Sequence, residues 1–246
     1  MKALIFDIEL KDPVLITALL GDANTETSLS YLPGTTLRGA LISACGKQPE
    51  KSWLDGSIRF LNAYPLIYEN KNKHRSYPIP LSWRIRKDDE IEIRDLAVED
   101  LDETEREDTW VPPPGEYCYY SDADDDGARA YTKSPDRHIQ IHTARNRKYG
   151  RALGNQANKL AQGDNPGAIF RYDALAAVQV FRAVILCEED QQAEDLQRIL
   201  EENHLFLGGA RTAGYGTVSI GPIERQEGSD GQRFDEVRMA FGEVSP

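Results

Sequence analysis

Four glycines fall within nine residues near the end of this 246-residue chain: Gly208, Gly209, Gly214 and Gly216. An amphipathic stretch ending near His204 precedes them, and the short alternating run Thr217 to Ile220 follows. Glycine reaches positive φ at little cost and lets backbone N–H groups come close to a neighbour. The segment is therefore a loop between a helix and a strand. Arg211 and Tyr215 add a fixed positive charge and a flat ring. Backbone donors, a cation and a ring suit a sugar-phosphate chain. The same residues also fit a helix C-cap and turn, and both readings stand at this point.

A second junction lies at Pro33-Gly34-Thr35-Thr36-Leu37-Arg38-Gly39. Pro-Gly marks a turn. Thr35 or Thr36 is expected to N-cap a helix running from Thr36 to Cys45 through Leu37, Leu41 and Ile42. Arg38 then falls in the first turn, where a cation opposes the helix dipole. An anion bound at the same helix end would make that placement reasonable.

Periodicity organises the rest. Lys2 to Leu10 alternates, with Leu4, Phe6, Ile8 and Leu10 on one side, as a strand with one buried face does. Residues 11–34 form a long connection. Ser57 to Tyr68 is expected to be a second strand. Pro78, Pro80, an acidic block and the break Pro112 to Gly115 read as irregular. Strands return at Arg137 to Thr143, Ala168 to Tyr172 and Ala177 to Cys187. Asp190 to Asn203 is a helix with Ala193, Leu196, Ile199 and Leu200 on one face. The order strand-helix-strand, insertion, strand-helix-strand predicts an α+β, ferredoxin-like fold. Its open sheet would be RRM-like, a platform suited to RNA. Residues 1–68 and 168–223 would form the core, 69–167 the insertion, and 224–246 a polar C-terminal tail.

A net charge of −12 argues against nucleic acid, but its distribution does not. Seventeen acidic and two basic residues fall between Asp88 and Asp126. Eight basic residues and one acid fall between Arg129 and Lys159. An acidic block beside a basic one leaves room for an RNA surface. Within the basic stretch, His138, Gln140 and His142 share one strand face next to Arg137, Arg145, Arg147 and Lys148. RNA contact and an ordinary solvated strand face both fit that pattern.

Other constellations are weaker. Asp122-x-Asp124-x-Asp126-Gly127 matches half of an EF-hand loop, but Lys133 stands where a bidentate glutamate is needed. Cys45, Cys118 and Cys187 form no zinc spacing and fit a reducing cytoplasm. Gly46-Lys47 lacks the rest of a P-loop. No apolar run is long enough to span a bilayer, and Asp7, Glu9, Lys11 and Asp12 interrupt any signal-peptide core.

Three features in this order and spacing resemble the RAMP superfamily, the RNA-binding subunits of CRISPR effector complexes. They are the strand Lys2 to Leu10, the helix start Pro33 to Gly39, and the glycine loop Gly208 to Gly216. Gly-Ala-Ile-Phe-Arg-Tyr-Asp-Ala-Leu from Gly167 to Leu175, followed by Gln179-Val-Phe-Arg182, is similar to the subgroup found in type III-D systems. The resemblance covers nearly the whole chain outside residues 69–135.

The resemblance implies a CRISPR guide-RNA-binding subunit of an antiviral ribonucleoprotein. Its partners would be guide RNA, target RNA, and the other RAMP and large subunits of the complex, with no membrane. The RNA-binding set would be Thr35, Thr36, Arg38, His138, His142, Arg145, Arg147, Lys148, Gly208, Gly209, Arg211, Gly214, Tyr215 and Gly216. No cofactor is needed for binding. Backbone-type RAMP subunits that cut target RNA carry an aspartate in the loop after the first strand. Asp22 holds that position here and would act with a divalent metal such as magnesium. A purely structural assembly subunit, its acidic block docked on a basic neighbour, is the third reading. Members of the subgroup often carry a second ferredoxin-like domain after the glycine loop, and a chain ending at Pro246 is expected to lack it.

Overall fold

A computed structural model of the chain describes residues 1–18, 25–46, 51–69, 71–87, 89–98, 110–121, 129–143, 169–202 and 204–227. The expectations placed on Asp22, Arg145, Arg147, Lys148 and the Asp122–Gly127 loop lie outside them.

The elements run β1 (Lys2–Leu10), β2 (Thr25–Thr27), α1 (Gly34–Cys45), β3 (Ile58–Phe60), β4 (Tyr64–Glu69) and β5 (Asn72–Arg75). Next come β6 (Tyr77–Pro78), β7 (Trp83–Arg86), β8 (Asp89–Asp95), β9 (Trp110–Val111), β10 (Tyr117–Ser121), β11 (Arg129–Lys133) and β12 (Arg137–Thr143). The chain continues with β13 (Ile169–Leu175), β14 (Val180–Cys187), α2 (Asp190–Glu202), β15 (Leu205–Phe206) and β16 (Thr217–Glu227). This is a mixed α+β chain dominated by strands.

The main sheet runs β15-β16-β1-β14-β4-β5, with β3 also paired to β14. β1 is antiparallel to both β14 and β16, and β14 is antiparallel to β3 and β4. Thus β14 lies between β1 and the strands that follow α1. Likewise β1 lies between β14 and β16, which flank α2.

Alternation in β1 aims Leu4, Phe6, Ile8 and Leu10 into the principal core. There they meet Phe181, Ala183 and Ile185 of β14, Leu37 and Leu41 of α1, and Ala193, Leu196 and Leu200 of α2. The opposite face of β1 is not simply solvated, as a strand with one buried face would be. Ala3 and Ile5 are buried there with Val184. Farther along that face Asp7 faces Arg182 across the β1–β14 pair. The second face therefore has an apolar end and a charged end.

Several boundaries differ from the sequence reading for identifiable reasons. Ser57 to Tyr68 divides into β3 and β4 because the chain turns aside at Ala63 to bridge Leu32. β14 starts three residues later than expected because Val178 has φ of 65° and forms a turn. β16 continues past Gly221-Pro222, through a register shift against β1 between Phe6 and Ile8, and ends at Glu227, inside the expected tail. A bulge lets a strand carry Gly and Pro without ending.

The stretch expected to be irregular holds strands β5 to β11. β11-β10-β6 and β8-β7-β9 form small sheets, and β12-β13-β2 forms a third. Tyrosine, tryptophan and isoleucine at alternate positions favour these pairings over the effect of the prolines. The prolines fall at strand ends or between strands.

Candidate nucleic-acid interface

The glycine loop is the tip of a hairpin between β15 and β16. Leu205 pairs with Val218 and Phe206 with Thr217. The Leu207 N–H donates to the Gly216 carbonyl at 2.9 Å and closes the base. The segment after β1 crosses beneath the tip. Gly209 N–H donates to the Leu15 carbonyl at 2.8 Å, and Gly216 N–H to the Pro13 carbonyl at 2.9 Å.

This anchoring decides what each glycine is for. A Cβ at Gly208, where φ is 76°, would lie 2.2 Å from the Leu15 carbonyl oxygen. At Gly216, with φ of 95°, it would lie 2.6 Å from the Leu207 oxygen. Those two glycines serve the protein's own packing. Gly209 has no positive φ, and its Cβ would come no nearer than 3.9 Å to Leu15. Gly214 has φ of 84° and open space around it. The exposed part of the tip is therefore Gly209, Gly214, Arg211 and their neighbours. Ala210 is left-handed and Arg211–Ala213 form a single 3₁₀ turn. The N–H groups of Ala210, Arg211 and Thr212 donate to no other described residue. Successive free N–H groups in such a turn make an anion-binding concavity. The Arg211 guanidinium lies 3.6 Å from the Phe206 ring centroid, which fixes its charge beside the tip.

Tyr215 does something other than offer a flat ring to a ligand. It is 2% exposed and packs with Leu15 and Ala174. Its hydroxyl donates to Gln140 Oε1 at 2.9 Å and lies 3.4 Å from His142 Nε2. Burial pushes its phenol above the ordinary value, so the hydroxyl stays a donor at neutral pH. The His142 ring stacks on Phe170 at 5.4 Å and 14° and meets Tyr172 at 4.6 Å. His138 meets Tyr215 edge-on at 6.4 Å. The two segments that the sequence marks separately, the glycine loop and the His138–His142 face of β12, are thus joined through one buried tyrosine.

The start of α1 differs from expectation. Its N-cap is Pro33, in an extended conformation, and no side chain caps it. Neither Thr35 nor Thr36 takes that role because the helix begins at Gly34, before them. Gly34 N–H donates to Asn62 Oδ1 at 3.1 Å, while Thr36 and Leu37 donate to the Pro33 carbonyl. A Cβ on Gly34 would lie 1.9 Å from the Phe60 carbonyl oxygen, so only glycine fits there. Arg38 becomes the fifth helical residue, just past the first turn. Thr35 and Gly39, one turn apart, are exposed. α1 packs against β15, the strand leading into the glycine loop.

Gln179 and Arg182 also have local roles. Gln179 is 7% exposed; its amide nitrogen donates to the Asp136 and Ala176 carbonyls, and its oxygen accepts from Asp136 N–H at 2.7 Å. It ties the turn before β14 to the start of β12. Arg182 Nε donates to Asp7 Oδ1 at 2.8 Å.

The sequence reading missed a second group of residues, which lines a cavity of 620 Å³ on the far face of the main sheet. Its signal was present in Lys73-His74-Arg75 and Tyr117-Cys-Tyr-Tyr120, basic and aromatic runs that read only as parts of an irregular insertion. Among the described residues no cluster of His, Cys, Asp and Glu could hold a metal ion. No helix among them is long and apolar enough to cross a membrane.

A family model described as the RAMP superfamily matches residues 7–219. No curated protein matches the sequence. Among solved structures, a chain of the type III-B Cmr-beta complex bound to cognate target RNA aligns with a TM-score of 0.46 and 12% identity. That alignment covers 91% of this chain and 60% of the other. A chain of apo Cmr-beta gives 0.43 and 13%, over 89% and 96%. A chain of a type IV-B CRISPR complex gives 0.44 and 11%, over 95% and 92%. This chain therefore spans 60% of the length of the first of these.

Proposed function

The chain belongs to the RAMP superfamily, and from that premise we propose that it is a guide-RNA-binding subunit of a type III-D-like CRISPR effector complex. One observation carries the reading. The exposed tip of the glycine loop, with three N–H groups open to an anion and Arg211 beside it, is held against the His138–His142 face of β12 by Tyr215. Phosphate oxygens would take the N–H groups and the guanidinium by charge-assisted hydrogen bonds. Arg38, Thr35 and Gly39 on α1 would extend the contact along the strand. Such contacts follow shape and backbone and leave sequence to base pairing.

In this reading the sheet β16-β1-β14-β3 with α1 and α2 is a ferredoxin-like core that includes β16 to Glu227, residues 69–167 are an insertion within it, and the tail begins after β16. Each βαβ unit is split by a strand of the other, which supports that assignment. The acidic block would face the other RAMP and large subunits, and target RNA would pair with the guide on the open side.

Gly209→Val tests the reading because it places a side chain over the tip without φ strain or a clash. The variant should melt with the parent and bind guide RNA roughly tenfold more weakly, a loss equivalent to about 1.4 kcal/mol. Arg211→Ala should lower the salt dependence of binding by about 0.7 in log–log slope, one phosphate contact on a single strand. A Gly209→Val protein that holds guide RNA as the parent does would mean the loop is only a turn.

A further inference from the structure

We propose that β12 is a pairing edge for a second copy of this chain, joined strand to strand about a two-fold axis through Gln140. β12 lies at the end of the sheet β12-β13-β2 and pairs with β13 alone. The ladder fixes which of its backbone groups face outward. Ala176 N–H donates to the Asp136 carbonyl, in step with the β12–β13 register. Hydrogen-bonded pairs in an antiparallel ladder recur at every second residue. His138, Gln140 and His142 therefore bond to β13, while Arg137, Ile139, Ile141 and Thr143 point their N–H and C=O groups away from it. β13 agrees: Asp173 and Leu175, opposite Ile139 and Arg137, bond instead to Ser28 and Val14. Among the described residues none takes up the outward groups of β12.

Sheet edges are ordinarily blunted by shortness, lysine, proline or a bulge. Among the described strands, β2, β6, β9 and β15 end their sheets at two or three residues. β12 runs for seven, holds neither lysine nor proline, and keeps an unbroken register with β13. Ile139 is 54% exposed and Ile141 70%. Their neighbours across the ladder are Asp173 and Arg171, so no apolar residue of β13 lies beside them. An edge that is long, regular and apolar is a template for another strand.

The sequence of the edge identifies that strand. His138-Ile139-Gln140-Ile141-His142 reads the same in both directions. Two copies laid antiparallel, with Gln140 opposite Gln140, overlap along the whole of β12, and the outward groups of each meet those of the other. Ile139 of each copy then bonds to Ile141 of the other, and four isoleucine side chains share one face. Histidine lies opposite histidine on the other face. Arg137 lies opposite Thr143, which keeps the two arginines at far ends of the pair, where like charges do not oppose each other. A slip of one residue sets outward groups against groups already bonded to β13 and turns the isoleucines to the wrong face. The contact is isologous: one patch serves both copies. A single pair of strands is a small interface, so the dimer is transient.

The test uses the full chain without RNA, so its outcome is separate from the guide-RNA reading. Sedimentation velocity from about 5 μM to about 500 μM, the range of weak association, should show the parent passing from monomer to dimer. Ile141→Val should behave as the parent does. Ile139→Lys combined with Ile141→Lys sets lysine opposite lysine at both isoleucine pairs and should abolish the dimer. That variant should melt with the parent, since both sites are exposed. Gln140→Cys reads the register. On the axis its two thiols fall in a non-hydrogen-bonded pair, with Cα atoms about 4.5 Å apart and within disulfide reach. Mild oxidation should link this variant into a dimer, and should link neither the parent nor Thr143→Cys. A parent that stays monomeric at about 500 μM would overturn the proposal. So would a dimer that survives the double lysine change, which places the contact on another surface. A Gln140→Cys protein that melts with the parent and forms no cross-link would overturn the two-fold at Gln140.

Discussion

Gly208 and Gly209 are neighbours in sequence with opposite physical requirements. Gly208 is left-handed and its α-hydrogen faces the Leu15 carbonyl, whereas Gly209 has ordinary φ and free space. An alanine at Gly208 meets both the left-handed penalty of about 1–2 kcal/mol and a backbone clash of about 1–3 kcal/mol. Gly208→Ala should therefore destabilise the protein by about 2–5 kcal/mol, and Gly216→Ala by a similar amount. Gly209→Ala should change stability by less than about 0.5 kcal/mol. Urea unfolding of the three variants checks this; equal losses at Gly208 and Gly209 would mean the loop does not rest on Leu15. Four glycines in a row of nine residues announce a loop in the sequence. Which of them serve the fold and which face outward depends on Pro13 and Leu15, about two hundred residues away, and no local pattern carries that.

At the scale of elements, the turn before β14 shows a similar dependence. Val178 is 83% exposed with φ of 65°, a conformation a β-branched residue adopts at a cost. Its N–H donates to the Leu10 carbonyl at 2.8 Å, and Leu10 N–H donates to the Gln179 carbonyl. These bonds to β1 impose the turn. Val178→Asn should relieve the strain, since asparagine tolerates the left-handed region, and raise stability by about 1 kcal/mol. A melting temperature that falls instead would show that the valine side chain holds the turn. The sequence marks β1, β12 and α2 almost to the residue, because their alternation or helical period is strong and local. It extends β14 backwards into this turn because Ala177-Val-Gln-Val reads as strand, and only pairing with β1 stops it. It misplaces the start of α1 because threonine caps helices more often than proline does, while here the close approach of Gly34 to Phe60 sets the first residue. Of the cavity beside β4 and β14, only the basic run Lys73-His74-Arg75 and the aromatic run Tyr117 to Tyr120 were legible. Tyr64, Lys73, Trp83, Tyr120 and Arg182 come together only after three hairpins and the main sheet have formed.

For the whole molecule, net charge and local charge lead to opposite responses to salt. The net charge is −12, and seventeen carboxylates lie within the 39 residues from Asp88 to Asp126. Such a segment repels itself, and added salt screens that repulsion within a Debye length of about 8–10 Å. The folded protein without RNA should therefore gain stability as ionic strength rises. RNA binding through Arg211, Arg38 and the basic stretch should weaken over the same range, because neutralised phosphates release counterions. Melting temperature and guide-RNA affinity, measured from about 20 mM to about 0.3 M sodium chloride, should move in opposite directions. If affinity were flat across that range, phosphate contacts would not hold the RNA. If stability without RNA fell with salt, the acidic segment would be paired with the protein's own basic residues and not left for a partner subunit. The two measurements separate an acidic block that awaits a neighbour from one that is already neutralised.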